Sequence, residues 1–77
     1  MITKRELIVA KAIELLKSKP QGMRTSQLIN AIKKNLLDLH PKTINGTVWK
    51  LPVLRPEEVY KPRRGLFRHV SFREVIL

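Results

Sequence analysis

Apolar residues recur through the first part of the chain at helical spacing. Ile8, Val9, Ala12, Ile13, Leu15 and Leu16 fall within about half of a 3.6-residue wheel, and Lys11, Glu14, Lys17 and Ser18 lie outside it. This predicts a core-facing first helix, with Leu7 left off the stripe. Thr3-Lys4-Arg5-Glu6 reads as its capping box, because a hydroxyl and a carboxylate three residues apart satisfy each other's orphan amides. Lys19-Pro20-Gln21-Gly22 ends that helix, and Met23-Arg24 has room only for a short extended bridge. Thr25 or Ser26 then caps a second helix, whose stripe is Leu28, Ile29, Ile32, Leu36 and Leu39. Asn30, Lys33 and Lys34 point away from it.

Leu37-Asp38-Leu39-His40 leaves a short turn before Pro41, so the second and third helices must meet across a tight corner. Pro41 suits a first helical turn, since it lacks an amide hydrogen that would be unsatisfied there and its ring pre-sets φ. From Pro41 to Leu51 the apolar positions are Ile44, Val48 and Leu51, at i, i+4 and i+7; Lys42, Thr43, Asn45, Gly46 and Lys50 project elsewhere. Pro52 and Pro56 interrupt any helix beyond Leu51. Val59-Tyr60-Lys61 and Leu66-Phe67-Arg68-His69-Val70 read as two strands joined by a turn at Pro62-Arg63-Arg64-Gly65, giving a hairpin with a basic tip. Tyr60 and Phe67 are expected to pair across its strands. Ser71 to Leu77 carries apolar Phe72, Val75, Ile76 and Leu77 without a readable pattern.

Composition narrows the function classes. Seventy-seven residues allow one small domain, too little for a cofactor-binding enzyme of ordinary size. Sixteen Lys and Arg against six Asp and Glu give a net charge of +10, an excess that attracts polyanions, and nucleic acid is the leading candidate. The basic residues are not gathered on one face of a single long amphipathic helix, which disfavours a membrane surface. No segment approaches the ~18 consecutive apolar residues that span a bilayer, and no signal-peptide core follows the charged start, so a cytoplasmic location is expected. The chain has no cysteine, which excludes disulfides and thiolate metal sites. Abundant Lys and Arg is also a weak compositional pointer to a hot environment.

Little else in the chain suggests chemistry. His40 and His69 lie far apart without a carboxylate pattern; they read as a helix-turn cap and a strand-surface residue rather than metal ligands. Glu57 and Glu58 are adjacent and would point to opposite faces of a strand, which does not make an acid and base pair. No phosphate-binding glycine loop or nucleophile motif occurs, and neither catalysis nor a cofactor nor a small-molecule ligand is expected. The free side of the Pro41 to Leu51 helix does carry cations, an amide, a hydroxyl and a glycine. That is suitable chemistry for a helix in a DNA major groove, although an ordinary solvated face would look the same. Trp49 lies about 140 degrees from Ile44 on the wheel, outside the apolar stripe. It is expected to pack beneath the hairpin connection, the alternative being stacking on nucleic acid.

The predicted order of helix, strand, helix, helix, strand, strand resembles a winged helix-turn-helix domain. The likeness covers residues 3 to about 70 and is carried by Gly22-Met23-Arg24-Thr25-Ser26-Gln27-Leu28, by Pro41 to Leu51, and by Glu58 to Arg68. In size and charge the chain is also similar to small winged-helix transcription factors of archaeal viruses and plasmids, and its hairpin is similar to winged-helix modules of restriction-type enzymes. The resemblance implies an α+β domain over residues 1–77: three helices, a short strand after the first, a C-terminal β-hairpin wing, and a tail at 71–77. It further implies a transcription regulator that binds double-stranded DNA, with a recognition helix in the major groove and the wing on the backbone or minor groove.

Carried onto this sequence, the recognition-helix contacts are Lys42, Thr43, Asn45, Gly46, Thr47 and Lys50. Asn45 would suit an adenine edge, Lys42 and Lys50 guanine or phosphate, and the Thr43 or Thr47 methyl a thymine methyl. Lys61, Arg63, Arg64 and Arg68 are the wing contacts, with arginine suited to phosphates or a narrow minor groove. Arg24, Thr25 and Ser26 would meet the DNA backbone at the start of the second helix. Gly46 departs from a good helix sequence, at about 1 kcal/mol relative to alanine. The same features permit a DNA-targeting module of a larger enzyme, with the apolar ending continuing into another domain, or a winged helix that binds RNA or protein. A monomer is expected, an arrangement that packing of Val75 to Leu77 near Leu7 would favour, the alternative being a homodimer through a two-fold interface of the first helix and the tail.

Overall fold

The computed structural model describes residues 3–73. The chain is α+β, with four α-helices and a three-stranded antiparallel sheet: α1 Lys4–Lys17, β1 Met23–Arg24, α2 Thr25–Asn35, α3 Pro41–Trp49, α4 Leu51–Leu54, β2 Val59–Arg63 and β3 Leu66–His69. A 3-10 turn, Val70–Phe72, follows β3. The expected count of three helices is therefore corrected by α4, a single turn that the prolines permit because Pro52 sits in its first turn, where no amide donor is needed. Lys50 is the break between α3 and α4. Packing of Val75 to Leu77 lies outside the described residues.

Local chemistry accounts for most of the boundaries. At the start of α1 the Glu6 amide donates to the Thr3 hydroxyl at 3.1 Å and the Thr3 amide donates to the Glu6 carboxylate at 3.4 Å, so the capping box forms as read. At α2 the cap differs from expectation. The helix begins at Thr25, Arg24 is its N-cap residue, and the Arg24 amide donates to the Gln27 side chain at 3.1 Å. α2 also stops at Asn35, short of Leu36 and Leu39; the Asn35 side-chain amide donates to the Ala31 carbonyl at 2.7 Å. Leu36 and Leu39 still pack against the core from the connection that follows. His40 caps α3, its Nδ1 accepting from the Lys42 amide at 3.1 Å.

Every element contributes to one core. Ile8, Ala12 and Leu16 of α1 meet Leu28 and Ile32 of α2, Ile44 and Val48 of α3, Leu51 of α4, Met23 of β1, Val59 of β2 and Phe67 of β3. α3 packs on both α1 and α2, and this fixes which of its sides is buried.

The sheet order is β1-β3-β2, so β3 is central and β2 is an edge strand. Edge placement is what tolerates Pro62, which cannot donate to a ladder. Met23 faces Phe67 across β1 and β3, while Val59 faces His69 and Tyr60 faces Arg68 across β2 and β3. The expected Tyr60 and Phe67 pair is thus wrong by one residue of register. Since side chains alternate along a strand, that one residue puts the two rings on opposite faces. Phe67 enters the core, whereas Tyr60 accepts from the Arg68 guanidinium at 3.1 Å. His69 is corrected with it: it is 6% exposed, not on the strand surface, and its Nδ1 accepts from the Ser71 amide at 3.1 Å to cap the 3-10 turn.

The hairpin tip is Arg64-Gly65, with Arg63 facing Leu66. Gly65 has φ +75° and no described non-glycine residue has positive φ. Arg64 therefore does not adopt the primed-turn geometry that matches strand twist, and the ladder has a register irregularity between Tyr60 and Arg63.

Candidate nucleic-acid interface

Helix α3 divides cleanly. Measured around the wheel from Ile44, Val48, Leu51 and Thr47 all fall within about 60 degrees, and all are buried. The exposed arc runs through Asn45, Trp49, Lys42, Gly46, Lys50 and Thr43 in angular order. Two expectations change as a result. Thr47 is 5% exposed and belongs to the core side, so its methyl does not face outward. Trp49 packs only in part: Phe67 and Lys61 of the hairpin lie against its ring, but the residue is 51% exposed and stands between Asn45 and Lys42 on the exposed arc. Both corrections agree with wheel angle once the packing of α1 and α2 on α3 has set the width of the buried arc.

A cleft of about 740 Å³ separates one flank of α3 from the hairpin tip. Its walls come from three places: Arg24, Thr25, Ser26 and Ile29 at the start of α2, Asn45 and Trp49 on α3, and Arg63 to Leu66 at the tip. The joint between these walls is Thr25. Its amide and its hydroxyl both donate to the Gly65 carbonyl, at 2.9 and 3.3 Å, forty positions away in sequence. Thr25 is 6% exposed, so the expected backbone contact from its side chain is replaced by a structural role: it pins the hairpin tip to α2. Arg24 and Ser26 remain exposed on either side.

The hairpin cations also differ from one another. Arg63 and Arg64 are exposed at the tip. Lys61 lies over two rings, its Nζ 5.6 Å from the Trp49 centroid and 5.8 Å from that of Phe67, within cation–π range. Arg68 is engaged by the fold. Its Nε donates to the Pro20 carbonyl at 2.7 Å and its guanidinium reaches the Tyr60 hydroxyl, so it braces the loop after α1 instead of extending outward with the tip.

On its other flank α3 faces the start of α1 across a hollow of about 340 Å³ lined by Arg5, Lys42, Thr43, Gly46, Thr47 and Lys50. Lys42, Gly46 and Lys50 form an i, i+4, i+8 row, and a Cβ built at Gly46 would meet nothing within 4 Å. The glycine is therefore an open notch between two lysines. Arg5 is the cation that sequence reading misses, because only the packing of α1 on α3 brings it there.

Electrostatically the surface is one-signed. No acidic residue occurs from 39 to 56 or from 59 to 73, which together hold α3, the hairpin and the cations Lys42, Lys50, Lys61, Arg63 and Arg64. The ion pair found among the described residues is Lys11 with Glu14 on α1, at 3.5 Å. An arrangement of this kind concentrates positive potential along a helix face and both of its flanks, and it can hold a polyanion. Among the described residues no group of three His, Cys, Asp or Glu could hold a metal ion, and no helix is long and apolar enough to cross a membrane. Comparison of the chain with protein-family models, curated proteins and solved structures gave no match.

Proposed function

We propose that the protein is a winged helix-turn-helix domain that binds double-stranded DNA sequence-specifically as a transcription regulator. The observation that carries this reading is the exposed arc of α3, free of acidic residues and bordered on both flanks by cation-lined hollows, beside the arginine-tipped hairpin. In this reading α3 is the recognition helix and enters the major groove, which is about 12 Å wide and admits one α-helix. Asn45, Thr43, Lys42 and Lys50 meet base edges or the adjoining phosphates. Arg63 and Arg64 hold the backbone or a narrow minor groove beyond the cleft, and Arg5 with Arg24 and Ser26 touches phosphates on the flanks.

Selection from a random duplex library tests the reading. A consensus sequence is expected to emerge, and a palindromic consensus would indicate two copies on DNA. Enrichment of no sequence would reject base readout. A preference for A-form RNA over every duplex DNA tested would replace DNA with RNA as the partner.

A further inference from the structure

Trp49 is the feature that duplex readout leaves unused. Large aromatic side chains ordinarily supply buried area, yet half of this one is exposed at the wall of the cleft between α3 and the hairpin tip. Its position is fixed from below: the fully buried Phe67 meets it edge-on, with centroids 6.3 Å apart and the planes at 72°. Lys61 places its ammonium group over the ring, 5.6 Å from the centroid, so a stacking base would have to displace this flexible, exposed side chain or use the other face. Asn45 lies one turn earlier on the same flank of α3, and Arg24, Ser26 and Arg63 line the opposite walls.

A half-exposed aromatic ring among cations is a platform for a nucleobase. Inside an intact duplex the bases cover each other's faces and present only edges and thymine methyl groups to the groove. The flat face of Trp49 gains its full contact only from a base that has left the stack. We propose that the cleft seats a single unpaired nucleotide at the margin of a DNA duplex, at an overhang, a frayed end or an extruded base. The base stacks on Trp49, its edge meets the Asn45 amide, and its phosphates lie against Arg24, Lys61 and Arg63. The cleft volume of about 740 Å³ is within the usual range of small-ligand sites, about 300–1,000 Å³. This inference rests on the duplex-binding reading above and adds a second form of DNA to it.

Trp49 is the sole tryptophan of the chain, so its fluorescence reports on the site directly. The full chain is titrated with a blunt duplex, with the same duplex carrying a single-stranded overhang of a few nucleotides, and with the overhang strand alone. The overhang duplex is expected to bind more tightly than the blunt one and to quench Trp49 more strongly. In Trp49→Ala, with folding checked by circular dichroism, the ratio of overhang to blunt affinity is expected to fall by ~5- to 150-fold, the factor supplied by stacking one base on an aromatic ring. Trp49→Phe should restore part of that ratio. Equal affinity and equal quenching for blunt and overhang duplexes in the native chain would overturn the inference while leaving duplex binding intact. Failure to bind either duplex would overturn both.

Discussion

Gly46→Ala separates stability from recognition at one atom. Gly46 lies within α3 without a positive φ, is exposed, and outside its own stretch of helix backbone and its two chain neighbours has no heavy atom within 4 Å of where a Cβ would stand. The added methyl group therefore meets nothing in the protein, and the change reduces to intrinsic helix propensity, about 0.8–1.0 kcal/mol in favour of alanine. Three residues remain before the helix ends, so the lower part of that range applies. For a domain of this size 1 kcal/mol moves Tm by roughly 4–8 °C, and Gly46→Ala should melt higher by several degrees in a calorimetric or circular-dichroism scan. The same methyl group fills the notch between Lys42 and Lys50. If DNA packs against that stretch of α3, the insertion costs about 1–3 kcal/mol of binding, or roughly 5- to 150-fold in Kd at fixed salt. A more stable protein with weaker DNA binding is the expected pair of results. Higher stability with unchanged affinity would refute the placement of the Lys42-to-Lys50 face against DNA, and lower stability would refute the open environment of Gly46.

Other substitutions probe the remaining parts. Arg63→Ala combined with Arg64→Ala should weaken binding about equally across DNA sequences and flatten the slope of log K against log salt by about 0.9 for each phosphate no longer neutralised, read by titration at several salt concentrations. Asn45→Ala should cost about 1–3 kcal/mol on the preferred site and relax discrimination at one base position, which a competition series with single-base variants measures. Gly22→Ala should be severely destabilising: φ is +84° and a Cβ would overlap the Phe67 backbone carbonyl in the central strand. Left-handed backbone alone costs about 1–2 kcal/mol for an L-residue, so Tm should fall by on the order of 10 °C or more once the overlap is added.

The local devices of this chain are legible in its sequence because each depends on residues a few positions apart. The Thr3 and Glu6 capping box, Pro41 at the head of α3, the breaker at Lys19 to Gly22 and the apolar stripes of α1 and α3 all follow from spacing and side-chain chemistry. Charge is equally local: the absence of acidic residues around α3 and the hairpin needs no structure to see. Burial of Thr47 and exposure of Trp49 follow from wheel angle, but only after the width of the buried arc is known, and that width is set by α1 and α2 packing on α3 together.

Tertiary structure alone decides the rest, because it joins residues that no local period relates. A one-residue difference in hairpin register sends Phe67 and His69 inward and Tyr60 and Arg68 outward, and spacing within either strand does not contain that register. Thr25 becomes a pin for the hairpin tip through a carbonyl forty positions away, and Arg68 becomes a brace on Pro20. The row from Lys42 to Lys50 gains Arg5 from the other end of the fold, and Asn45 and Trp49 gain Arg24 and Arg63 across the cleft. The sequence by itself determines a cationic helix face; long-range packing determines that this face has two differently furnished flanks, one a lysine-bordered notch and the other a cleft walled by tryptophan.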